Sequence, residues 1–131
     1  MYIGVDIVDI ERIKMAIERT PRFLGRIFTP NEISYSLRRN NPYPSLAARF
    51  AAKEAFRKLH PLFTRGIAFH DVEVVNDLSG RPHLYLHRKA DQLKKEAGLF
   101  NLAISISHAQ YHAIATIIAQ GKGDGNEGCK S

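Results

Sequence analysis

The chain has 131 residues, 44% of them hydrophobic and 24% charged, a composition typical of one globular domain large enough to bury a core. Its single cysteine, Cys129, excludes a disulfide framework and a cysteine-based metal site. The net charge of +6 favours a polyanionic partner, such as an acidic protein, a nucleic acid or a phosphate-rich small molecule, although simple solubility would also account for it.

The sequence predicts a protein without a membrane segment or a secretion signal. No apolar run approaches the roughly 20 residues that span a bilayer. Residues 1–6 lack the basic segment and the long apolar stretch of a signal peptide. We therefore expect a cytoplasmic location.

The chain opens with a predicted strand and an amphipathic helix. Residues 2–7 alternate as a strand does, and one face of it carries Ile3, Val5 and Ile7. Asp9 is a suitable N-cap for the helix that follows, and Pro21 marks its end. The apolar residues of this helix recur at helical spacing: Ile10, Ile13 and Ile17.

Two further helices are predicted before the middle of the chain. Residues 29–32 read Thr-Pro-Asn-Glu, a complete capping box with proline at the first helical position. The short helix that begins there stops before the proline- and asparagine-rich loop 40–44. Ser45 is the expected cap of a long central helix that runs to about Leu59.

The second half is richer in strands. In chain order it predicts a hairpin of strands 71–75 and 82–86 around the turn 76–80, a charged helix 88–97 closed by Gly98, and strands 102–107 and 112–119 joined near His108. Residues 120–131 are polar and glycine-rich, and we expect them to be disordered. The prediction is a single α+β domain over residues 1–119.

Three charged residues are candidates for chemistry. Asp6 interrupts an apolar strand, which indicates either a metal ligand or a residue on the exposed face, since it lies opposite Val5 and Ile7. Glu54 and Lys58 lie one turn apart on the central helix, and they are either an ordinary surface pair or part of a phosphate or metal site. Mg²⁺ typically takes one or two carboxylates together with waters and substrate phosphates, which Asp6 and Glu54 would satisfy if they converge.

Two other features are weaker. His108 follows two serines at the end of a strand, where it is either satisfied by backbone or able to bind an anionic ligand; no Gly-x-Ser-x-Gly motif supports a hydrolase. A basic run lies along and after the first helix, and the apolar residues within it favour an acidic protein partner over nucleic acid. Its cations include Arg12, Lys14, Arg19, Arg22 and Arg26.

Four segments together resemble one family. Residues 3–10 read Ile-Gly-Val-Asp-Ile-Val-Asp-Ile, residues 49–55 read Arg-Phe-Ala-Ala-Lys-Glu-Ala and are followed by Lys58, residues 80–82 read Gly-Arg-Pro, and residues 105–108 read Ser-Ile-Ser-His. In order and approximate spacing they resemble the holo-acyl-carrier-protein synthases, the short trimeric class of 4′-phosphopantetheinyl transferases. The resemblance spans roughly residues 2–119, and it implies a mainly antiparallel sheet packed against the long central helix.

The resemblance also implies a reaction and its participants. Such enzymes move 4′-phosphopantetheine from coenzyme A to a serine of apo acyl carrier protein for fatty acid biosynthesis, and release adenosine 3′,5′-bisphosphate. By this analogy Asp6 and Glu54 hold Mg²⁺, Glu54 also activates the serine, and Lys58 stabilises the departing phosphate. The expected coenzyme A contacts are Arg49, Arg81 and His108.

The expected protein contacts follow from the same analogy. Acyl carrier proteins are small and acidic, so the basic helix is the predicted docking surface, with Arg12, Arg22 and Arg26 steering the encounter. The family implies a homotrimer with sites between subunits. Two alternatives stay open: a different Mg²⁺-dependent phosphotransferase or nucleotide hydrolase that uses the same carboxylates, and a non-catalytic basic module that binds RNA or the ribosome.

Overall fold

A long helix crosses the middle of the molecule, with a sheet on one side and shorter helices around its first half. The computed structural model describes residues 1–122. Its strands are β1 (Tyr2–Asp9), β2 (Val72–Asn76), β3 (Pro82–Leu86), β4 (Phe100–His108) and β5 (His112–Gln120). Its helices are α1 (Ile10–Arg19), α2 (Phe23–Ile27), α3 (Pro30–Leu37), α4 (Tyr43–Leu59) and α5 (Arg88–Ala97), with short 3-10 turns at Pro61–Thr64 and Phe69–Asp71.

The strands form two antiparallel sheets. The larger sheet has the order β1-β5-β4, and β2 pairs with β3 in a separate hairpin. The predicted α+β fold, with an antiparallel sheet packed on a long helix, is therefore confirmed. β5 ends at Gln120, one residue beyond the predicted limit of the domain, and residues 123–131 of the expected disordered tail lie outside the described residues.

Small residues let α4 lie close to the sheet. Ala51, Ala52 and Ala55 on the helix are completely buried, as are Ala113 and Ala115 on β5. Side chains of this size keep the backbones of the helix and the sheet close together. The position of α4 relative to β1 and β5 is thus fixed by a tightly packed interior.

The opposite face of the larger sheet is open. Ile3, Val5 and Ile7 on β1 are 61%, 45% and 62% exposed, and Ile114 and Ile118 on β5 are also exposed. Register pairs Ile3 with Ile118 and Ile7 with Ile114, so these side chains form one continuous apolar surface, which we call the outer sheet face. A contiguous apolar surface of this kind typically marks a protein interaction site.

Most predicted helix ends are confirmed. The Asp9 carboxylate accepts hydrogen bonds from the N–H groups of Glu11 and Arg12, Thr29 and Glu32 form the complete capping box, and Gly98 ends α5 with φ +70°. The prediction for Ser45 is wrong. α4 begins two residues earlier, at Tyr43, and the Ser45 hydroxyl is within hydrogen-bond distance of the Ser36 hydroxyl, at 2.8 Å.

A buried ion pair joins α4 to α3. The Lys53 Nζ lies 2.8 Å from the Glu32 carboxylate, and both side chains are at most 1% exposed. Lys53 also donates to the carbonyls of Phe69 and Val72, so all three of its donors have partners. Burial lowers the pKa of the Lys53 ammonium, and Glu32 opposes that shift.

A second carboxylate, Glu73, links β2 by hydrogen bonds to the start of α3 and to His87. It accepts hydrogen bonds from the Thr29 hydroxyl at 2.5 Å and the Asn31 amide, and its other oxygen lies 2.9 Å from the His87 Nε2. Burial alone would raise the pKa of Glu73, but the bonds from Thr29 and His87 outweigh burial and lower it below its ordinary value.

Across residues 1–122, no helix is both long and apolar enough to cross a membrane.

Candidate active site

Gly4 brings β1 against the backbone of α4. A Cβ atom built on Gly4 would lie 2.1 Å from the carbonyl oxygen of Ala55 and 3.2 Å from the backbone nitrogen of Leu59. No side chain fits at that distance, so only glycine allows the strand and the helix to approach this closely. The residue two positions further along β1 on the same face is Asp6, which therefore also points toward α4.

Asp6 meets α4 at the end that carries the predicted site residues. Its carboxylate lies 2.6 Å from the Lys58 Nζ, although 52 positions separate the two in sequence. The Asp6 side chain is 15% exposed and that of Lys58 is 56% exposed. Of the two alternatives for Asp6, the structure selects the inward orientation, because the apolar residues of β1 occupy the open face instead.

Asp6 and Glu54 line one cleft of about 420 Å³ between β1, α1 and α4. Asp9 and Arg12 lie along the same cleft, and Phe23 and Phe50 form part of its wall, with ring centroids 6.5 Å apart. The lining of the cleft therefore combines acidic groups with a cation and aromatic rings. Ala47 and Ala51, which share the Glu54 face of α4, are completely buried in the helix packing rather than open to this space.

The donor set in the cleft suits a hard divalent cation that also binds phosphates. Two carboxylates, Asp6 and Glu54, match the one or two protein ligands that Mg²⁺ takes in phosphate-transfer sites. No group of three or more potential ligands from His, Cys, Asp and Glu occurs within the described part of the chain. This pair therefore fits an ion completed by substrate and water better than one held by protein alone.

Arg49 lies on a different side of α4, and it is 2% exposed. Its guanidinium donates to the Ser45 hydroxyl at 2.9 Å and to the side-chain oxygen of Asn76, and it stacks 4.4 Å from the centre of the Tyr35 ring. Its Nε has no hydrogen-bond partner among residues 1–122. Burial lowers the pKa of Arg49, whereas Glu32 raises it. Arg49 and His108 line a small pocket of about 100 Å³ together with Tyr35, Arg39, Ser45, Ala48, Asn76, Ile106 and Ser107.

Arg81 lies beside a larger cleft of about 650 Å³ between β3 and β4. This cleft and the Arg49 pocket both include Ile106, so the two spaces adjoin along β4. Neither shares a lining residue with the cleft that holds Asp6 and Glu54. A single chain thus carries two separate groups of predicted site residues: Asp6, Glu54 and Lys58 form the acidic group, and Arg49, Arg81 and His108 form the cationic group.

Lys53, Tyr35 and Asn76 are not among the site residues predicted from the sequence. Lys53 follows Arg49 by four residues and precedes Arg57 by four, so three cations share one side of a helix that is rich in alanine. This spacing indicates buried cations, because a helix face surrounded by alanines packs inside the protein and its charged groups then need internal partners. Nothing in the sequence indicated Tyr35 or Asn76, since both act on Arg49 through tertiary contacts.

The basic residues predicted to bind a protein lie near the acidic group. Arg12 lines its cleft, and both Arg22, which precedes α2, and Arg26, within α2, are exposed. No ion pair joins any of the three to a carboxylate in residues 1–122. Their charges are therefore available to an external partner.

Comparison with known proteins identifies the family of this chain. The sequence profile of the 4′-phosphopantetheinyl transferase superfamily matches residues 2–116, so the chain belongs to that superfamily. The holo-[acyl-carrier-protein] synthase of Moorella thermoacetica is 41% identical over 117 residues, which cover 89% of this chain and 91% of that protein. That of Clostridium kluyveri is 44% identical over 118 residues, covering 90% and 88%. Within the superfamily, the chain is a member of the holo-[acyl-carrier-protein] synthase family.

A solved structure agrees with the assignment at the level of the fold. The ACPS–CoA complex from Chronobacterium ammoniagenes superposes with a TM-score of 0.81 at 30% identity, covering 92% of this chain and 97% of that one. The predicted resemblance is therefore confirmed over nearly the whole described domain.

Proposed function

We propose that this protein transfers 4′-phosphopantetheine from coenzyme A to a serine hydroxyl of apo acyl carrier protein, in a Mg²⁺-dependent reaction that serves fatty acid biosynthesis in the cytoplasm. The observation that carries the proposal is the contact between Asp6 and Lys58 beside Glu54, in a chain of this family. Two carboxylates that line one cleft, with an ammonium in contact with one of them, are groups that can supply the charge neutralisation and proton movement of a phosphate transfer.

Asp6 and Glu54 are the proposed ligands of Mg²⁺. Bound there, the ion would neutralise charge on the diphosphate of coenzyme A. The serine oxygen forms the new bond to phosphorus, the bond from that phosphorus to the bridging diphosphate oxygen breaks, and adenosine 3′,5′-bisphosphate leaves. Glu54 accepts the serine proton, directly or through water, because its carboxylate has no competing salt bridge among the described residues.

Lys58 is the proposed partner of the departing phosphate. Its side chain is 56% exposed, and its ammonium lies 2.6 Å from the Asp6 carboxylate, which lines the cleft. A lysine is a compact charge on a flexible stem, so it can exchange a carboxylate for a phosphate oxygen with a small movement. It can also supply the proton that the leaving group needs.

The cationic group is proposed to bind the rest of coenzyme A. Arg81 and His108 are exposed along adjoining spaces that are large enough for part of a nucleotide, and Arg49 supplies a buried positive charge to the same wall. The relatives crystallised with coenzyme A support the choice of ligand.

Separation of the two groups supports a homotrimer with shared sites. The acidic group of one subunit would meet the cationic group of the next, and the outer sheet face would be buried in the assembly. That face offers the contiguous apolar surface a stable contact needs. Sedimentation velocity should give three times the subunit mass; a monomer at micromolar concentration would refute the assembly.

Apo acyl carrier protein is the proposed docking partner of Arg12, Arg22 and Arg26. Arg12→Glu should raise the KM for the carrier protein several-fold at low salt, because a reversed charge slows a steered encounter. Lys89→Glu, at an exposed position of α5, is a matched charge reversal outside the cleft. An equal effect of both variants would contradict the docking assignment.

Intact mass spectrometry of apo acyl carrier protein tests the reaction directly. Incubation with this protein, coenzyme A and Mg²⁺ should add the mass of phosphopantetheine, and EDTA or Glu54→Gln should abolish the gain. Glu96→Gln removes an exposed carboxylate on α5 and should leave turnover intact. No mass gain with several carrier proteins and a folded enzyme would refute the transferase and favour the basic RNA-binding alternative.

A further inference from the structure

The turn between β2 and β3 is organised by one carboxylate. Asp77 Oδ1 accepts hydrogen bonds from the Ser79 N–H at 2.9 Å, the Ser79 hydroxyl at 2.5 Å and the Arg81 N–H at 3.0 Å. Its Oδ2 lies 2.8 Å from the His83 Nε2. The backbone closes the same turn, since the Asp77 N–H donates to the Arg81 carbonyl at 2.9 Å.

These hydrogen bonds stabilise the ionised form of the Asp77 carboxyl. Donation from Ser79, followed by His83 and the Arg81 backbone, holds the pKa of the carboxyl well below its ordinary value even though the side chain is exposed. The bond to Arg81 uses the backbone N–H, and the Arg81 guanidinium has no ion-pair partner in the part of the chain that the structure describes. Asp77 therefore fixes the backbone of Arg81 and leaves its positive charge free.

The turn is also tied to α4. Asn76 accepts a hydrogen bond from the Arg49 guanidinium and donates its own side-chain N–H to the Gly80 carbonyl at 2.9 Å. Gly80 has φ +90°, a conformation that a residue with a side chain rarely adopts. One continuous set of hydrogen bonds thus runs from the buried Arg49 through Asn76 and the turn to Arg81.

We propose that Asp77 is a positioning residue for coenzyme A binding, because it holds the turn in the one geometry that presents Arg81 to a phosphate of the nucleotide. The proposal rests on the proposed function, and specifically on contact between Arg81 and coenzyme A. Without the carboxylate, three donors of the turn (the N–H and O–H of Ser79 and the N–H of Arg81) lose their acceptor. The Arg81 guanidinium is then no longer held beside the β3–β4 cleft.

A double-mutant cycle separates positioning from a direct effect of charge. We expect Arg81→Ala to raise the KM for coenzyme A about tenfold, in line with a lost charged hydrogen bond. Asp77→Ala should raise it by a similar factor, and the double variant should be no worse than Arg81→Ala alone, because Asp77 then has nothing left to position. The kcat should change little in all three, since the acidic group is elsewhere.

Asp77→Asn keeps one acceptor oxygen for the turn, so its KM for coenzyme A should lie between those of the wild type and Asp77→Ala. Asp91→Ala is the matched control, because it removes an exposed carboxylate paired with Lys95 on α5. Independent, multiplicative effects of Asp77→Ala and Arg81→Ala would overturn the proposal, as would an unchanged KM in Arg81→Ala.

Failure of the proposed function would look different. If the wild-type protein transfers nothing, the same cycle is measured by calorimetric titration with coenzyme A. Non-additive loss of affinity would then support positioning while the reaction assignment fails. Absence of any binding to the wild-type protein would overturn both.

Discussion

Lys53→Met would remove one partner of the buried ion pair and leave Glu32 charged inside the protein. All three donors of Lys53 are used, at 2.5–2.9 Å, and methionine replaces most of the volume without replacing any bond. Breaking a buried pair by removing one partner typically costs about 3–5 kcal/mol. Glu32 keeps hydrogen bonds from the N–H groups of Thr29 and Val74, so we expect the lower end, about 3 kcal/mol.

Thermal and urea unfolding measure this loss. For a chain of this length about 3 kcal/mol should lower Tm by roughly 10 °C. Adding Glu32→Gln to the variant removes the stranded charge and should recover at least about 1 kcal/mol. Lys95→Met, which breaks an exposed pair with Asp91, should change stability by less than about 1 kcal/mol. A loss in Lys53→Met as small as that control would refute the reasoning.

Two further predictions concern packing and pH. Gly4→Ala forces a methyl group onto the Ala55 carbonyl, so it should destabilise the fold by about 1–3 kcal/mol and slow turnover by moving β1. At Gly25 nothing lies within 4 Å of an added methyl group, so Gly25→Ala should be neutral or slightly stabilising in the same unfolding assay. Equal Tm values for the two variants would contradict the close approach. Because hydrogen bonds outweigh burial and lower the pKa of Glu73, its contribution to stability is present above about pH 4.5 and is lost as the pH falls through the lowered value. The free energy of unfolding in urea should therefore fall more between about pH 6 and pH 3 for the wild type than for Glu73→Gln. Parallel curves of stability against pH would show that the lowered pKa is absent.

Local signals in the sequence were sufficient for most elements. Asp9, the capping box at Thr29 and the glycine at position 98 each identify a helix end through hydrogen bonds to nearby backbone, and such bonds depend on a few residues only. Ser45 shows the limit of this reasoning. Its hydroxyl suits an N-cap, but Ser36 and Arg49 offer it partners from elsewhere in the fold, and the helix begins earlier.

The orientation of β1 could not be predicted from alternation. A strand has two faces, and the apolar one looked like the core face, yet Ile3, Val5 and Ile7 are exposed and Asp6 is turned toward α4. The deciding factor is Gly4, which permits a helix to lie where larger residues would exclude it. Convergence of Asp6 with Lys58 is likewise a tertiary property, and only the family resemblance anticipated it.

The division of the site residues into two groups has a genetic consequence. If neighbouring subunits share each site, a chain that lacks Glu54 and a chain that lacks Arg81 are each defective for a different reason, and each retains what the other has lost. Co-expressed, the two inactive forms would complement one another, with about a quarter of the interfaces in randomly mixed trimers combining an intact acidic group with an intact cationic group. A damaging substitution in one gene copy could then be partly masked by a different substitution in the other.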